Sequence, residues 1–322
     1  MIVNDVSSPF PRRPFRFGVQ LTTSPTGGDW TEQARRIETH GYAVATMPDH
    51  FDQQFAPVPG LQAILSATTT LRACALVFDN DYKHPLVLAK ELATMDVLSG
   101  GRVEIGLGAG WMIADYEQAG IPYDRAGVRI DRFVEGLAVI KGVMGNEVFS
   151  FEGEHYTINE HNGFPKPIQG PHPPVIIGGG GKRVLGIAAR EADTIGVNGT
   201  LRAGVIGPDA IATMTREAVI DKVAIVADEA QAAGRLDAIE MNVRTFFVSV
   251  TDERDTQIAA MADMIGVNEQ MIRESPFALI GSVEQIIDDL VARREEFGFS
   301  YVIVGGAEAD SFAPVVASLA GH

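Results

Sequence analysis

The chain has 322 residues, 46% hydrophobic and 21% charged, a composition that can bury a sizeable globular core. With 42 acidic and 26 basic side chains the formal net charge is −16, so there is no basic footprint for nucleic acid. One cysteine, Cys74, excludes an internal disulfide framework and a multi-cysteine metal site.

Residues 1–14 are polar and Pro-rich and read as a loose arm. No apolar run follows Arg12 and Arg13, so no signal peptide is expected. No stretch approaches about 18 consecutive apolar residues, so no membrane span is expected and a cytoplasmic protein is the default. Phe15–Leu21 alternates at period two, as a half-buried strand does. Asp29 to Glu32 has the form of a capping box and opens a helix that ends at His40-Gly41. Tyr42–Met47 reads as a second strand, Pro59–Thr70 as a helix and Leu71–Phe78 as a third strand.

The clearest helix follows. Pro85 suits a first turn, Leu88, Leu92 and Met95 recur at helical spacing, and Ser99-Gly100-Gly101 ends it. Val103–Leu107 is a fourth strand, followed by a glycine-rich turn, a short excursion and a helix over Arg129–Met144. A hairpin-like stretch, Val148–Tyr156, interrupts the rhythm. Val175–Ile177 and Thr194–Val197 are strands five and six, with a helix over Arg183–Glu191 between them. An Ala-rich helix spans Thr215–Ala233, and Ile239–Val250 reads as strand seven. Ser282 and Gln285 cap a helix over Val283–Phe297, and Tyr301–Val304 is strand eight.

Eight strand-then-helix units imply a parallel sheet, and eight is the number that closes a (β/α)8 TIM barrel. A doubly wound open sheet fits the same alternation. The stretches about 145–170 and 200–275 exceed ordinary loops and read as insertion segments on one domain spanning 1–322.

In a parallel barrel the loops after the strands build the active site. After strand two come Asp49 and His50, an acid and an imidazole able to transfer a proton, although an ordinary turn would use the same residues. After strand three come Phe78, Asp79 and Asn80, a polar loop or a kinked bulge. Strand four runs into Gly106, Gly108, Ala109, Gly110 and Trp111. The glycines allow close approach of a flat ligand, while Trp111 is either a lid aromatic or a rim packing residue. This run is not the dinucleotide fingerprint, because Trp111 stands where glycine is required. Strand five ends in Gly178, Gly179, Gly180 and Gly181, then Lys182 and Arg183 at a helix start. Free amides and two cations suit a phosphate there. His155 and His161 lack the spacing of a metal site, and none is expected.

Pro48-Asp49-His50-Phe51, the run His84–Arg102, Gly106–Trp111, Arg125 with Arg129, and Pro174–Lys182 together resemble the bacterial luciferase-like superfamily, in particular its coenzyme F420-dependent branch. The resemblance is good over about residues 15–200. It implies a barrel with an insertion, commonly a homodimer, acting on a small-molecule substrate. It also implies a bulge after strand three, often with a non-proline cis peptide, pressing on the cofactor ring; here it maps to Phe78-Asp79-Asn80. Asp49 would bind the deazaflavin head, His50 would give or take the proton, and Gly178 to Arg183 would hold the phosphate. The implied activity is hydride transfer between deazaflavin and substrate, with an FMN-dependent monooxygenase and a non-catalytic cofactor-binding protein as alternatives. Asp79-Asn80-Asp81 is more acidic than the common loop, and Trp111 stands near an acidic catalytic position of the sugar-phosphate dehydrogenases, so no sugar phosphate is assigned.

Overall fold

A computed structural model of the protein describes residues 8–24 and 29–322. The first half contains β1 (Arg16–Gln20), α1 (Trp30–Thr39), β2 (Val44–Met47), α2 (Pro57–Ala67), β3 (Arg72–Ala75), β4 (Phe78–Asp79), α3 (Pro85–Ser99), β5 (Val103–Gly108), α4 (Ile113–Ala119) and α5 (Ala126–Met144). A hairpin follows, β6 (Phe149–Glu152) and β7 (Thr157–His161), then β8 (Val175–Gly179), α6 (Lys182–Glu191), β9 (Thr194–Val197), α7 (Pro208–Ala212) and α8 (Arg216–Ala232). The chain continues through β10 (Glu240–Arg244), β11 (Phe247–Val250), α9 (Arg254–Ile265), α10 (Glu269–Glu274) and β12 (Ala278–Gly281). It ends with α11 (Val283–Phe297), β13 (Phe299–Gly305) and α12 (Ala309–Leu319).

The strands β1, β2, β3, β5, β8, β9, β10 and β13 pair in that order, all parallel, and β13 returns to β1. The sheet is therefore a closed eight-stranded barrel ringed by helices. The open-sheet alternative is set aside by the β1–β13 and β3–β5 pairings.

Strand register sorts the side chains into two sets, because successive residues face opposite sides. Val19, Met47, Ile105, Ile177, Ile195, Val243 and Val302 face outward and join one core with the helices. Each such fully buried side chain contributes roughly 1.5–3 kcal/mol. The inward set forms tiers. Nearest the N-terminal ends, Arg16 pairs with Glu104 and Glu240 at 2.7 Å, and Arg72 with Glu104 at 2.7 Å. Arg16 also lies 3.8 Å from the centroid of the Tyr301 ring. The middle tier is apolar, with Val44, Cys74, Ile176 and Ile303. The top tier, at the C-terminal ends, takes Gln20, Gly108, Gly178, Arg244 and Gly305 by the same parity.

Helix ends follow the expected chemistry. Gly100, in the left-handed region at φ 71, closes α3, and Ser282 with Gln285 forms a capping box on α11. Asp29 caps α1 by accepting from the Thr31 amide and the Thr31 hydroxyl, both at 2.8 Å, rather than through a reciprocal box with Glu32.

Three expectations need correction. Ile239–Val250 is not one strand: it breaks at Thr245-Phe246, β10 stays in the barrel and β11 leaves to pair with β12 in a separate two-stranded parallel sheet. The break is where the Thr245 amide and hydroxyl bond Ile303 and the Phe246 amide turns to Phe277. The stretch 200–275 is consequently not all insertion, since it holds the barrel elements α8 and β10. The supposed arm is anchored over residues 8–14: the Ser8 amide bonds Glu295, Phe10 is buried, and Arg13 donates to the carbonyls of Asp237 and Ile239. Residues 1–7 lie outside the described residues.

The stretch 145–170 carries the antiparallel β6–β7 hairpin. Glu135 of α5 fastens its turn, accepting from the amides of Glu154, His155 and Tyr156 at 2.8, 2.9 and 3.1 Å.

Candidate functional site

The loops after the strands converge at the C-terminal mouth. His50, two residues beyond Pro48 at the end of β2, is held there through one ring nitrogen. Its Nδ1 lies 2.6 Å from Asp115 Oδ2, and Asp115, in the first turn of α4, is buried. Asp115 also accepts from the Phe51 amide at 3.3 Å and the Tyr82 hydroxyl at 3.0 Å. A carboxylate on Nδ1 favours the tautomer with its hydrogen there and leaves Nε2 to accept a proton. The indole of Trp111 meets the imidazole edge-on at 5.6 Å, so Trp111 packs on the catalytic candidate.

Beside this pair lies an acidic nest. The Asp79 carboxylate accepts from the Tyr116 hydroxyl at 3.1 Å and the Asp81 amide at 2.9 Å, while the Asp79 amide donates to Asp49 Oδ2 at 3.2 Å. Burial pushes the Asp79 carboxyl up to about 7; the Asp81 amide opposes the rise, and the charges of Asp81 and Asp49 add to it. Burial raises Asp49 too, against the Asp79 amide and the neighbouring His50. Tyr82 and Tyr116 are also raised, first by burial and then by these carboxylates, so both remain neutral donors. Arg132 balances the far side, 2.9 Å from Asp81.

The glycine runs form the opposite wall. Gly110 has φ 72, and a Cβ there would lie 1.9 Å from the Tyr116 hydroxyl, so only glycine fits. A Cβ on Gly108 would come within 2.6 Å of Val77, and one on Gly180 within 2.4 Å of the Gly199 carbonyl. A Cβ on Gly181 would meet nothing within 4 Å, so the space before α6 is open. Gly181 is the N-cap of α6 without a side-chain cap, which leaves the first-turn amides of Lys182, Arg183 and Val184 without intrahelical partners. Lys182 is exposed and has no acidic partner among the described residues. Arg183 is turned aside, paired with Asp131 and donating to the Gly127 carbonyl at 3.3 Å. A cavity of about 330 Å³ nearby is lined by Tyr123, Asp124, Arg125, Ala126, Arg129 and Arg202.

The mouth thus brings together Asp49, His50, Asp79, Gly108, Gly110, Trp111 and Gly178–Lys182. Phe78 and Asn80 point the other way. Phe78 is in the helix-facing core, and the Asn80 amide donates to the Tyr156 hydroxyl at 3.1 Å while its carbonyl side lies against Gly136. Ala109 packs on the outer core, its carbonyl 3.4 Å from Arg129 Nε. The non-proline cis peptide is Leu76–Val77, upstream of the expected Phe78-Asp79-Asn80. Sequence reading missed Asp115, Tyr82, Tyr116 and Arg244. The first three sit beyond strand ends, on a loop and in the segment between Trp111 and α5, where no periodic pattern marks them. Arg244 was hidden inside a strand drawn too long.

Among the described residues no helix is long and apolar enough to cross a membrane, and no group of three His, Cys, Asp or Glu is placed to hold a metal ion. A family model described as luciferase-like monooxygenase matches residues 13–301. The chain is 29% identical over 222 residues to the FMNH(2)-dependent dimethylsulfone monooxygenase of Pseudomonas putida, covering 67% of this chain and 56% of that protein. It is 25% identical over 254 residues to the enzyme of that name from Pseudomonas fluorescens (strain Pf0-1), covering 76% and 64%. It therefore spans roughly three fifths of the length of these curated relatives. In fold it is similar to the coenzyme F420-dependent tetrahydromethanopterin reductase of Methanopyrus kandleri, with a TM-score of 0.76, 19% identity, and 95% and 98% of the two chains covered. The closed parallel barrel and the match over nearly its whole length lead to one statement: the chain belongs to the luciferase-like monooxygenase family.

Proposed function

We propose that the protein is a two-electron oxidoreductase that binds coenzyme F420 across the barrel mouth and uses His50 to move the accompanying proton. The observation that carries this reading is the His50–Asp115 pair at 2.6 Å, set beside an open glycine wall that ends at a helix N-terminus. The residues fit such a group. The Gly108–Gly110 and Gly178–Gly181 backbones leave a flat surface, and the amides of α6 with Lys182 suit a phosphate. When bound, F420 supplies a hydride-carrying ring carbon. The protein's own part is positional: Asp115 and Tyr82 hold the imidazole, Nε2 takes or returns a proton, and Trp111 shields it from water. Asp49 and Asp79 lie where polar atoms of a ring edge would meet them. Arg125 and Arg202, which line the 330 Å³ cavity, would face an anionic extension beyond the phosphate.

A second reading is an FMN-dependent monooxygenase, favoured by the cofactor named for the Pseudomonas relatives. It would place the same phosphate at α6 and would consume oxygen with help from a reductase. Fluorescence titration with F420 and with FMN separates the two, followed by turnover assays of His50→Ala. Saturable F420 binding with weak FMN binding is expected. Oxygen uptake with reduced FMN and no F420 binding would overturn the first reading.

We also infer that the chain folds as one domain and pairs with a second copy. Val87 and Leu98, 45% and 68% exposed, line an apolar groove of about 530 Å³ between α2 and α3 that such a pairing would cover. Sedimentation of the wild type against Leu98→Glu tests it: the variant should run as a monomer.

A further inference from the structure

The barrel interior contains three arginines whose placement follows from strand parity: Arg16, Arg72 and Arg244. Arg16 is paired with Glu104 and Glu240, and Arg72 with Glu104, Gln169 and the carbonyls of Gly101 and Val103, all at the closed end. Arg244 differs. It is the last residue of β10 and shares the inward parity of Asn242, which places it in the top tier of the mouth. Its Nε donates to Gln20 Oε1 at 2.8 Å, and no other protein acceptor meets its guanidinium among the described residues. Glu308 pulls on its charge, yet the two form no ion pair. The Phe246 ring lies 5.4 Å from the guanidinium carbon, an apolar flank beside the cation. Burial lowers its pKa to about 10, the mark of a cation short of counter-charge.

Such a group is costly in a half-buried site unless a ligand completes it. It is too far round the ring to serve the α6 phosphate site: β8 and β10 are separated by β9, on the order of 10 Å in strand spacing. We propose that Arg244, oriented by Gln20, is the specificity-determining residue of the substrate site and selects substrates carrying one anionic oxyacid group, a carboxylate or a sulfonate. A guanidinium fork fixed at Nε presents its remaining N–H groups in one plane, the geometry that matches two oxygens of such a group. Phe246 would then flank the apolar part of the same molecule. The inference deepens the reading above and rests on its assignment of the mouth as the reaction site.

The test uses the full chain without cofactor and four probes: butanoate, propane-1-sulfonate, butanamide and dimethylsulfone. Affinities come from saturation-transfer NMR titrations. The two anions are expected to bind at least tenfold more tightly than the two neutral molecules. Arg244→Gln should erase that preference, Arg244→Lys should restore part of it, and neither should alter F420 or FMN affinity in parallel fluorescence titrations. Gln20→Leu, which keeps the arginine but frees it, should weaken anion binding several-fold and gives a second route if Arg244→Gln fails to fold. Anions that bind no better than the amide and sulfone overturn the proposal. So does a preference that survives Arg244→Gln, since the anion then sits elsewhere, for instance at α6. Loss of cofactor binding in the wild type would instead count against the proposed function and leave the anion result to be read by itself.

Discussion

The two ends of the barrel solve opposite problems with the same residue types. At the closed end, Arg16, Arg72, Glu104 and Glu240 interlock at 2.7 Å contacts, and Arg16 covers the Tyr301 ring. Arg16 and Arg72 hold Glu104 well into its charged form against full burial. At the open end, Asp49, Asp79, Asp81 and Asp115 crowd together with two tyrosines, one imidazole and Arg132, and two of the carboxyls rise in pKa. Matched charges make a plug; unmatched ones make groups whose protonation can change near neutral pH. Charge inside a barrel therefore indicates chemistry only where its partners are missing.

Substitutions at each end should separate these roles. His50→Ala should lower turnover by about 10²- to 10⁴-fold, about 3–5 kcal/mol on the barrier, with cofactor affinity and melting temperature nearly unchanged. Steady-state kinetics beside fluorescence titration reads both, and an equal loss of binding would deny His50 its proton-transfer part. Glu104→Gln at the other end should do the reverse. It leaves Arg16 and Arg72 facing each other across a neutral amide and should cost roughly 3–5 kcal/mol in urea denaturation, while kcat of the folded fraction holds.

Asp79→Asn tests the pH consequence of the open end. Because folding raises the Asp79 carboxyl from its ordinary value near 3.8 to about 7, its stabilising contribution is complete below pH 3.8. That contribution is lost progressively as pH rises to about 7 and stays lost above. The wild type should thus lose a few kcal/mol relative to the asparagine variant between pH 4 and pH 8. Parallel stability curves for the two proteins that never converge or cross over that range would show that Asp79 titrates normally. The smallest effect is expected at Gly181→Ala. Its Cβ meets nothing, so stability should move by less than about 0.5 kcal/mol while phosphate-bearing ligands weaken several-fold. Unchanged ligand affinity would move the phosphate away from α6.

Much of the barrel is legible in the chain because each βα unit carries its own signals: Pro85 and Gly100 bound α3, and Ser282 with Gln285 opens α11. The outward faces of strands are apolar and continuous, so the strands announce themselves. The inward face is not, and there reading failed. Asp115 sits in a seven-residue helix with no periodicity to register, and only folding brings it to His50, 65 positions earlier. Arg244 was lost because β10 and β11 are separated by two residues whose hydrogen bonds, to Ile303 and Phe277, are long-range. The same parity that conceals inward residues in sequence identifies them once register is known: it sends Asp79 into the mouth and Phe78 and Asn80 out of it.

That outward turn of Asn80 ties the loop carrying Asp79 to the β6–β7 hairpin through Tyr156, and the hairpin turn hangs on Glu135. Thermal fluctuations that pry the hairpin from α5 must also release the rear of that loop. Amide hydrogens of residues 79–81 and 154–156 should then exchange with deuterium as a single cooperative unit, although more than 70 positions of chain separate them.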